Sequence, residues 1–89
     1  MLFISLTKFK TKPTLEVTNS WHKRVDPVLK KNNIRMVAAF WTLGKYDAVL
    51  VFDAPSEAKL LKFLYDSSDF IDTETMSAVT ESNAETLLG

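Results

Sequence analysis

The chain has 89 residues, no cysteine, two glycines, and 11 basic against 11 acidic side chains, a formal net charge of zero. That length accommodates a single hydrophobic core, and the balanced charge excludes capture of nucleic acid or an anionic membrane by a basic surface. Without cysteine there are no disulfides, thiolate metal sites or cysteine nucleophiles, which fits a reducing compartment, and two glycines exclude a Gly-rich phosphate loop. The apolar start of the chain lacks a basic n-region. No stretch approaches the ~20 apolar residues of a membrane span. A soluble, cytoplasmic protein is expected.

Leu2 to Thr7 is apolar and rich in strand formers and reads as a first strand. Lys8 to Pro13, with three lysines and a proline, reads as a loop. Between Thr14 and Asn33 the period lengthens: Leu15, Trp21, Val25, Val28 and Leu29 recur at near-helical spacing among charged residues. Pro27 interrupts this stretch and predicts a kink or a second helix, because a proline inside a helix loses a backbone bond. Ile34 to Leu43 and Tyr46 to Asp53 are strand-like runs flanking Gly44-Lys45, the pattern of a β-hairpin whose glycine takes a positive φ. Ala54-Pro55-Ser56 starts a helix with Ala58, Leu61, Leu64 and Tyr65 on one face, and Ile71 to Thr80 is a final strand. Residues 1–80 form the domain, and 81–89 form a polar tail with a Leu87-Leu88 patch that reads as a short helical turn.

The order β-α-β-β-α-β predicts an α+β, ferredoxin-like sandwich, with two helices on one face of a four-stranded antiparallel sheet. Its topology gathers Lys8, Tyr46, Asp47, Asp72 and Glu74 at one end of the sheet. A sheet covered on one side alternates apolar and polar residues. The hairpin does not. Met36 to Trp41 and Ala48 to Phe52 offer apolar side chains to both faces. Each large side chain is worth ~1.5–3 kcal/mol when buried, so a second copy of the sheet is the expected cover, giving a homodimer or higher homo-oligomer. Phe40, Trp41, Leu50 and Phe52 are the expected dimer contacts.

Thr42-Leu43-Gly44-Lys45-Tyr46-Asp47, Asp53-Ala54-Pro55 and Thr73-Glu74-Thr75 together resemble the GYD-domain family. These are small bacterial and archaeal proteins named for a Gly-x-Tyr-Asp-type turn and grouped with the dimeric α/β-barrel superfamily. The resemblance covers most of Ile34 to Thr80. It implies a ferredoxin-like fold and sheet-to-sheet dimers, and no settled biochemical activity.

The chemistry-bearing residues are few. Tyr46 and Asp47 follow the turn glycine Gly44, where a phenol and a carboxylate can orient a ligand or move a proton. Turn chemistry offers another role, with Asp47 accepting backbone amides and Tyr46 packing at the sheet edge. His22 is the sole histidine and completes the candidate catalytic set as a base. No His-x-x-x-His or Glu-x-x-His spacing accompanies it, so neither a metal nor a cofactor is expected. Trp21, Phe40, Trp41 and Phe52 are candidates for an apolar ligand pocket or for core and dimer packing, with Glu74 as a polar ligand-binding candidate. Lys8, Lys10 and Lys12 read as a solvated loop, and no nucleophile elbow surrounds any serine.

The leading expectation is therefore a homo-oligomeric module that assembles or binds a small apolar ligand, with neither nucleic acid nor membrane as partner. One alternative, implied by the superfamily, is a cofactor-free monooxygenase or isomerase in which Tyr46 and Asp47 polarise the substrate and His22 is the base. Another is a small subunit of a larger complex that exposes Leu87-Leu88 or the edge strand.

Overall fold

A computed structural model describes residues 1–88. The elements run β1 (Leu2–Phe9), α1 (Leu15–Lys31), β2 (Arg35–Trp41), β3 (Ala48–Asp53), α2 (Glu57–Asp66), β4 (Ile71–Ala78) and α3 (Glu81–Leu88). The four strands form one sheet in the order β2-β3-β1-β4, and every neighbouring pair is antiparallel. This is the ferredoxin-like α+β sandwich that the element order predicts.

The helices are built from local signals that hold at both ends. Thr14 caps α1 by accepting the Val17 N–H at 3.2 Å. Glu16 lies in the first turn and Lys30 and Lys31 in the last, each sign matched to the helix dipole. Trp21, Val25 and Leu29, spaced four apart, form its buried stripe. Pro27 does not break α1, which is a single helix of 17 residues. The proline costs the Lys23 carbonyl its partner, but both residues are exposed, so the orphan faces solvent. Val25 and Leu29 anchor the buried face on either side. The helix ends in a Schellman turn: Asn33 takes φ 56°, and Ile34 N–H returns to the Leu29 carbonyl at 2.9 Å. Ser56 caps α2 by accepting the Lys59 N–H at 3.2 Å.

One core joins these elements. Phe3, Phe9, Ala48, Leu50 and Phe52 from the central strands meet Trp21, Val25, Leu29, Leu60 and Phe63 from the helices. Phe52 and Phe63, both at 0% exposure, meet edge to face with ring centroids 5.3 Å apart. Ser5 and Thr7 are buried on the same sheet face, and Ser5 Oγ pairs with Thr75 Oγ1 at 2.8 Å.

Several details differ from the sequence reading, with β2 trimmed to Arg35–Trp41 and β3 starting at Ala48. β1 continues past Thr7 through Lys8 and Phe9, because Phe9 belongs to the core and pairs with Ile71. β4 stops at Ala78 rather than Thr80, and the tail forms helix α3, which buries none of its residues. In β2, Val37 is squeezed out between Met36 and Ala38 as the register with β3 shifts.

Leu50 and Phe52 require a correction as expected dimer contacts. They point toward the helices, at 5% and 0% exposure, and are used up in the monomer's own core. The pairing register places Val49 and Val51 on the opposite, open face instead. There the rows read Ala38–Val51–Ile4–Met76 and Phe40–Val49–Leu6–Glu74 across the four strands. Charges bound these rows at both ends. Arg35 Nη2 lies 3.6 Å from Asp53 Oδ2 at one end, and Lys8 stands opposite Asp72 at the other.

Candidate functional site

On the helix side of the sheet, α1 and the edge strand β2 do not close completely. Between them lies a cleft of about 90 Å³. Its floor is Phe9, Ala48 and Leu50, its α1 wall is Thr18, Trp21 and His22, and its β2 wall is Met36, Ala39, Phe40 and Trp41. The walls are aromatic and ordered around Phe9. Trp21 meets Phe9 edge to face at 6.1 Å and 74°, and Trp41 stacks on it at 5.7 Å and 29°. Trp41 nevertheless stays 60% exposed because β2 has no strand beyond it. Phe40 shares the open face by register yet also borders the cleft, so it stands at the edge where the two surfaces meet.

Two polar groups lie on the α1 side of this cleft. Trp21 is 3% exposed, and its buried Nε1–H has no hydrogen-bond partner among the described residues. A buried donor left unpaired costs about 1–3 kcal/mol, so the position carries a penalty that packing alone does not require. His22 follows it in the chain, with the rings of the two residues 4.9 Å apart. Its Nδ1 lies 3.6 Å from Asp26 Oδ1 one helical turn on, an attraction that operates when the ring is protonated.

Tyr46, Asp47 and Glu74 form a different group at the end of the sheet. Gly44 (φ 109°) turns the chain at the hairpin tip. Asp47 ties that tip to β1: its Oδ2 accepts the Phe9 N–H at 2.8 Å, and its own N–H donates to the Thr7 carbonyl at 2.9 Å. Across the hairpin, Thr42 N–H donates to the Asp47 carbonyl at 3.0 Å, and the Thr42 hydroxyl to the Tyr46 carbonyl at 2.8 Å. These bonds account for an aspartate beside the turn. The Tyr46 phenol is held above its ordinary value of 10.0, first by the neighbouring Glu74 carboxylate as an acceptor, then by desolvation and by the Glu74 charge.

The expected sites are thus partly assembled and partly separate. Trp21, Phe40 and Trp41 meet at the cleft with His22, whereas Glu74 does not line it. The expected catalytic set is split as well: His22 is at the cleft, and Tyr46 and Asp47 are outside its walls. Phe52 belongs to the core and does not line the cleft. Phe9, Thr18, Met36, Ala39, Ala48 and Leu50 complete the cleft and were not expected there. For Phe9 the signal was present in the alternation Phe3, Ser5, Thr7, Phe9, which the flanking lysines obscure.

A family model described as the GYD domain matches residues 1–88. The chain belongs to the GYD-domain family. The Gly44-Lys45-Tyr46-Asp47 turn that carries the resemblance is the hairpin tip that Asp47 fastens to β1 in this GYD domain. Among solved structures, the crystal structure of the methylated RPA0582 protein superposes with a TM-score of 0.57 at 11% identity, covering 90% of this chain and 81% of that one. At such low identity the likeness is one of fold. No curated protein matches the sequence. No described helix is long and apolar enough to cross a membrane.

Proposed function

We propose that this GYD domain is a cytoplasmic homo-oligomeric binding module, in which two protomers pair sheet to sheet and each offers its α1–β2 cleft to a small apolar ligand. The observation that carries the pairing is the open face. Leu2, Ile4, Leu6, Val49 and Val51 make an apolar centre there, Phe40 and Met76 remain 59% and 44% exposed, and charged residues stand at both ends. An apolar centre with a charged rim is the anatomy of a protein interface. Sheets stack face to face at ~10 Å, which brings two such rows into contact without moving either backbone.

The cleft supports the ligand-binding half. It is concave and mainly aromatic, with few polar groups, as small-molecule sites are. A second reading, a cofactor-free enzyme, is favoured only by the His22–Asp26 pair at the α1 wall. It would have to run without Tyr46 and Asp47, which do not line the cleft.

Sedimentation equilibrium at micromolar concentration tests the pairing. The expected result is a dimer or larger assembly that Val51→Asp converts to folded monomers. A wild-type monomer at that concentration contradicts the proposal.

A further inference from the structure

We infer that the outer edge of β4 is a second self-pairing surface, along which two copies of the chain align their β4 strands antiparallel, Thr75 facing Thr75, into one continuous sheet. This goes beyond the sheet-to-sheet pairing above and does not depend on it.

The sheet has two edges, β2 and β4, and they are finished differently. An exposed edge presents unpaired N–H and C=O groups that template another strand unless a bulge, a proline, a lysine or a cover blunts it. β2 carries a bulge at Val37. β4 carries no such device. It contains no proline, glycine or lysine, and all of its residues pair with β1 in unbroken register, from Leu2↔Ala78 to Phe9↔Ile71. Helix α3 follows β4 but buries none of its residues, so it does not cover the edge.

The two charges of β4, Asp72 and Glu74, set the register. Like charges directly opposite one another destabilise a strand pair, whereas Thr–Thr and Thr–Ser pairs support it. A two-fold axis through Glu74 puts the two Glu74 carboxylates face to face, and one through Thr73 puts Asp72 against Glu74. An axis through Thr75 puts Glu74 against Met76 and Asp72 against Ala78 on the open face. On the helix side it puts Thr75 against Thr75 and Thr73 against Ser77. Of the registers without facing like charges, this one overlaps the longest stretch of β4.

The surroundings match this symmetry. α2 and β4 leave an open groove between them, lined by Leu61, Leu64 and Tyr65 on one side and Thr73, Thr75 and Ser77 on the other. Leu61 and Tyr65 remain 48% and 70% exposed. The two-fold axis brings the α2 helices of the two copies toward each other above the joined strands, so that these side chains cover one another. One strand contributes to this contact where the open face contributes four. It is therefore the weaker of the two, read by covalent trapping or at the concentrations of an NMR sample.

The chain has no cysteine, so a single introduced thiol forms a disulfide only between copies. Directly opposed residues of an antiparallel pair have Cα atoms about 4.5–5.5 Å apart, within disulfide reach. Thr75→Cys is expected to become a disulfide-linked dimer in a glutathione buffer. Ser77→Cys, on the same side of the strand and more exposed, is the control, because its two copies are offset along the strands by ~14 Å and cannot be bridged. The same results are expected with Val51→Asp added, which separates this edge from the open face. In the unmodified chain, hydrogen exchange on a concentrated sample should find every amide from Asp72 to Ala78 protected. That set includes the alternate amides that β1 leaves unpaired, whose protection should fall on dilution; this readout stands if Thr75→Cys does not fold. Free exchange of those alternate amides at every concentration overturns the inference, and so does Ser77→Cys linking as readily as Thr75→Cys. A Thr75→Cys disulfide that is lost when Val51→Asp is added overturns it too, since the contact then belongs to the open face. The sheet-to-sheet reading survives each of these results.

Discussion

The two faces of the same two central strands make opposite use of similar residues. On the helix side, Phe3, Phe9, Leu50 and Phe52 are buried to 8% exposure or less and meet aromatic and aliphatic partners within the chain. On the other side, Leu2, Ile4, Leu6, Val49 and Val51 are comparably apolar, yet they are only half-buried by their neighbours in the sheet. The difference is not one of composition, since Leu50 and Val51 are adjacent. It lies in what covers them: α1 and α2 complete one core, and α3, which buries none of its own residues, does not complete a second. The lesson is that a strand apolar on both sides has two faces to cover, of which α1 and α2 cover one.

Substitutions at neighbouring positions sharpen this contrast most. Leu50→Asp puts an unpaired charge into the core and should abolish folding, seen as loss of the circular dichroism signal and of cooperative unfolding. Val51→Asp, one residue along, should leave that signal and remove self-association. If both variants unfold alike, the two faces are not distinct in kind. A smaller effect is expected from truncating aromatics. Phe63→Ala, at 0% exposure, should cost about 3–5 kcal/mol in urea unfolding, and Phe40→Ala, at the exposed edge, under about 1 kcal/mol in the monomer.

Asp47→Ala tests the fastening of the hairpin tip. It strands the Phe9 N–H and should lower stability by about 1–3 kcal/mol, measured in the same way, without removing a cleft wall. The smallest effect concerns Tyr46. Its pKa is raised in the folded protein, so on raising the pH the unfolded chain loses that proton first. The contribution is complete below pH 10.0 and is lost as the pH climbs through the folded value. Glu74→Gln should bring the phenolate absorbance titration of Tyr46 back toward 10.0, and an unchanged titration would contradict the pairing.

Much of the architecture was legible in the residues. The element order, the helix start at Ala54-Pro55-Ser56 and the hairpin at Gly44 each follow from a local chemical signal, and so does the surplus of apolar residues in the hairpin. Register was not. Where alternate residues are polar, one face declares itself, but Val49, Leu50, Val51 and Phe52 are all apolar. A shift of one residue would exchange the faces with no visible violation in the sequence. That is why Leu50 and Phe52 were expected at an interface and are found in the core. Pro27 shows the converse: local chemistry predicts a break, and packing on both sides of it holds the helix together. The cleft lay further from view, because it depends on an edge strand meeting a helix and on one indole whose partner is missing.

The central claim is that the open face of one protomer lies against the same face of another. Isotope-filtered NMR on a mixture of labelled and unlabelled protein measures that contact directly. Magnetisation should pass between copies from the methyl groups of Ile4, Leu6, Val49 and Val51 to the same set of residues in the other chain. Transfer between copies confined to α1, α2 or α3, or absent altogether, would contradict it.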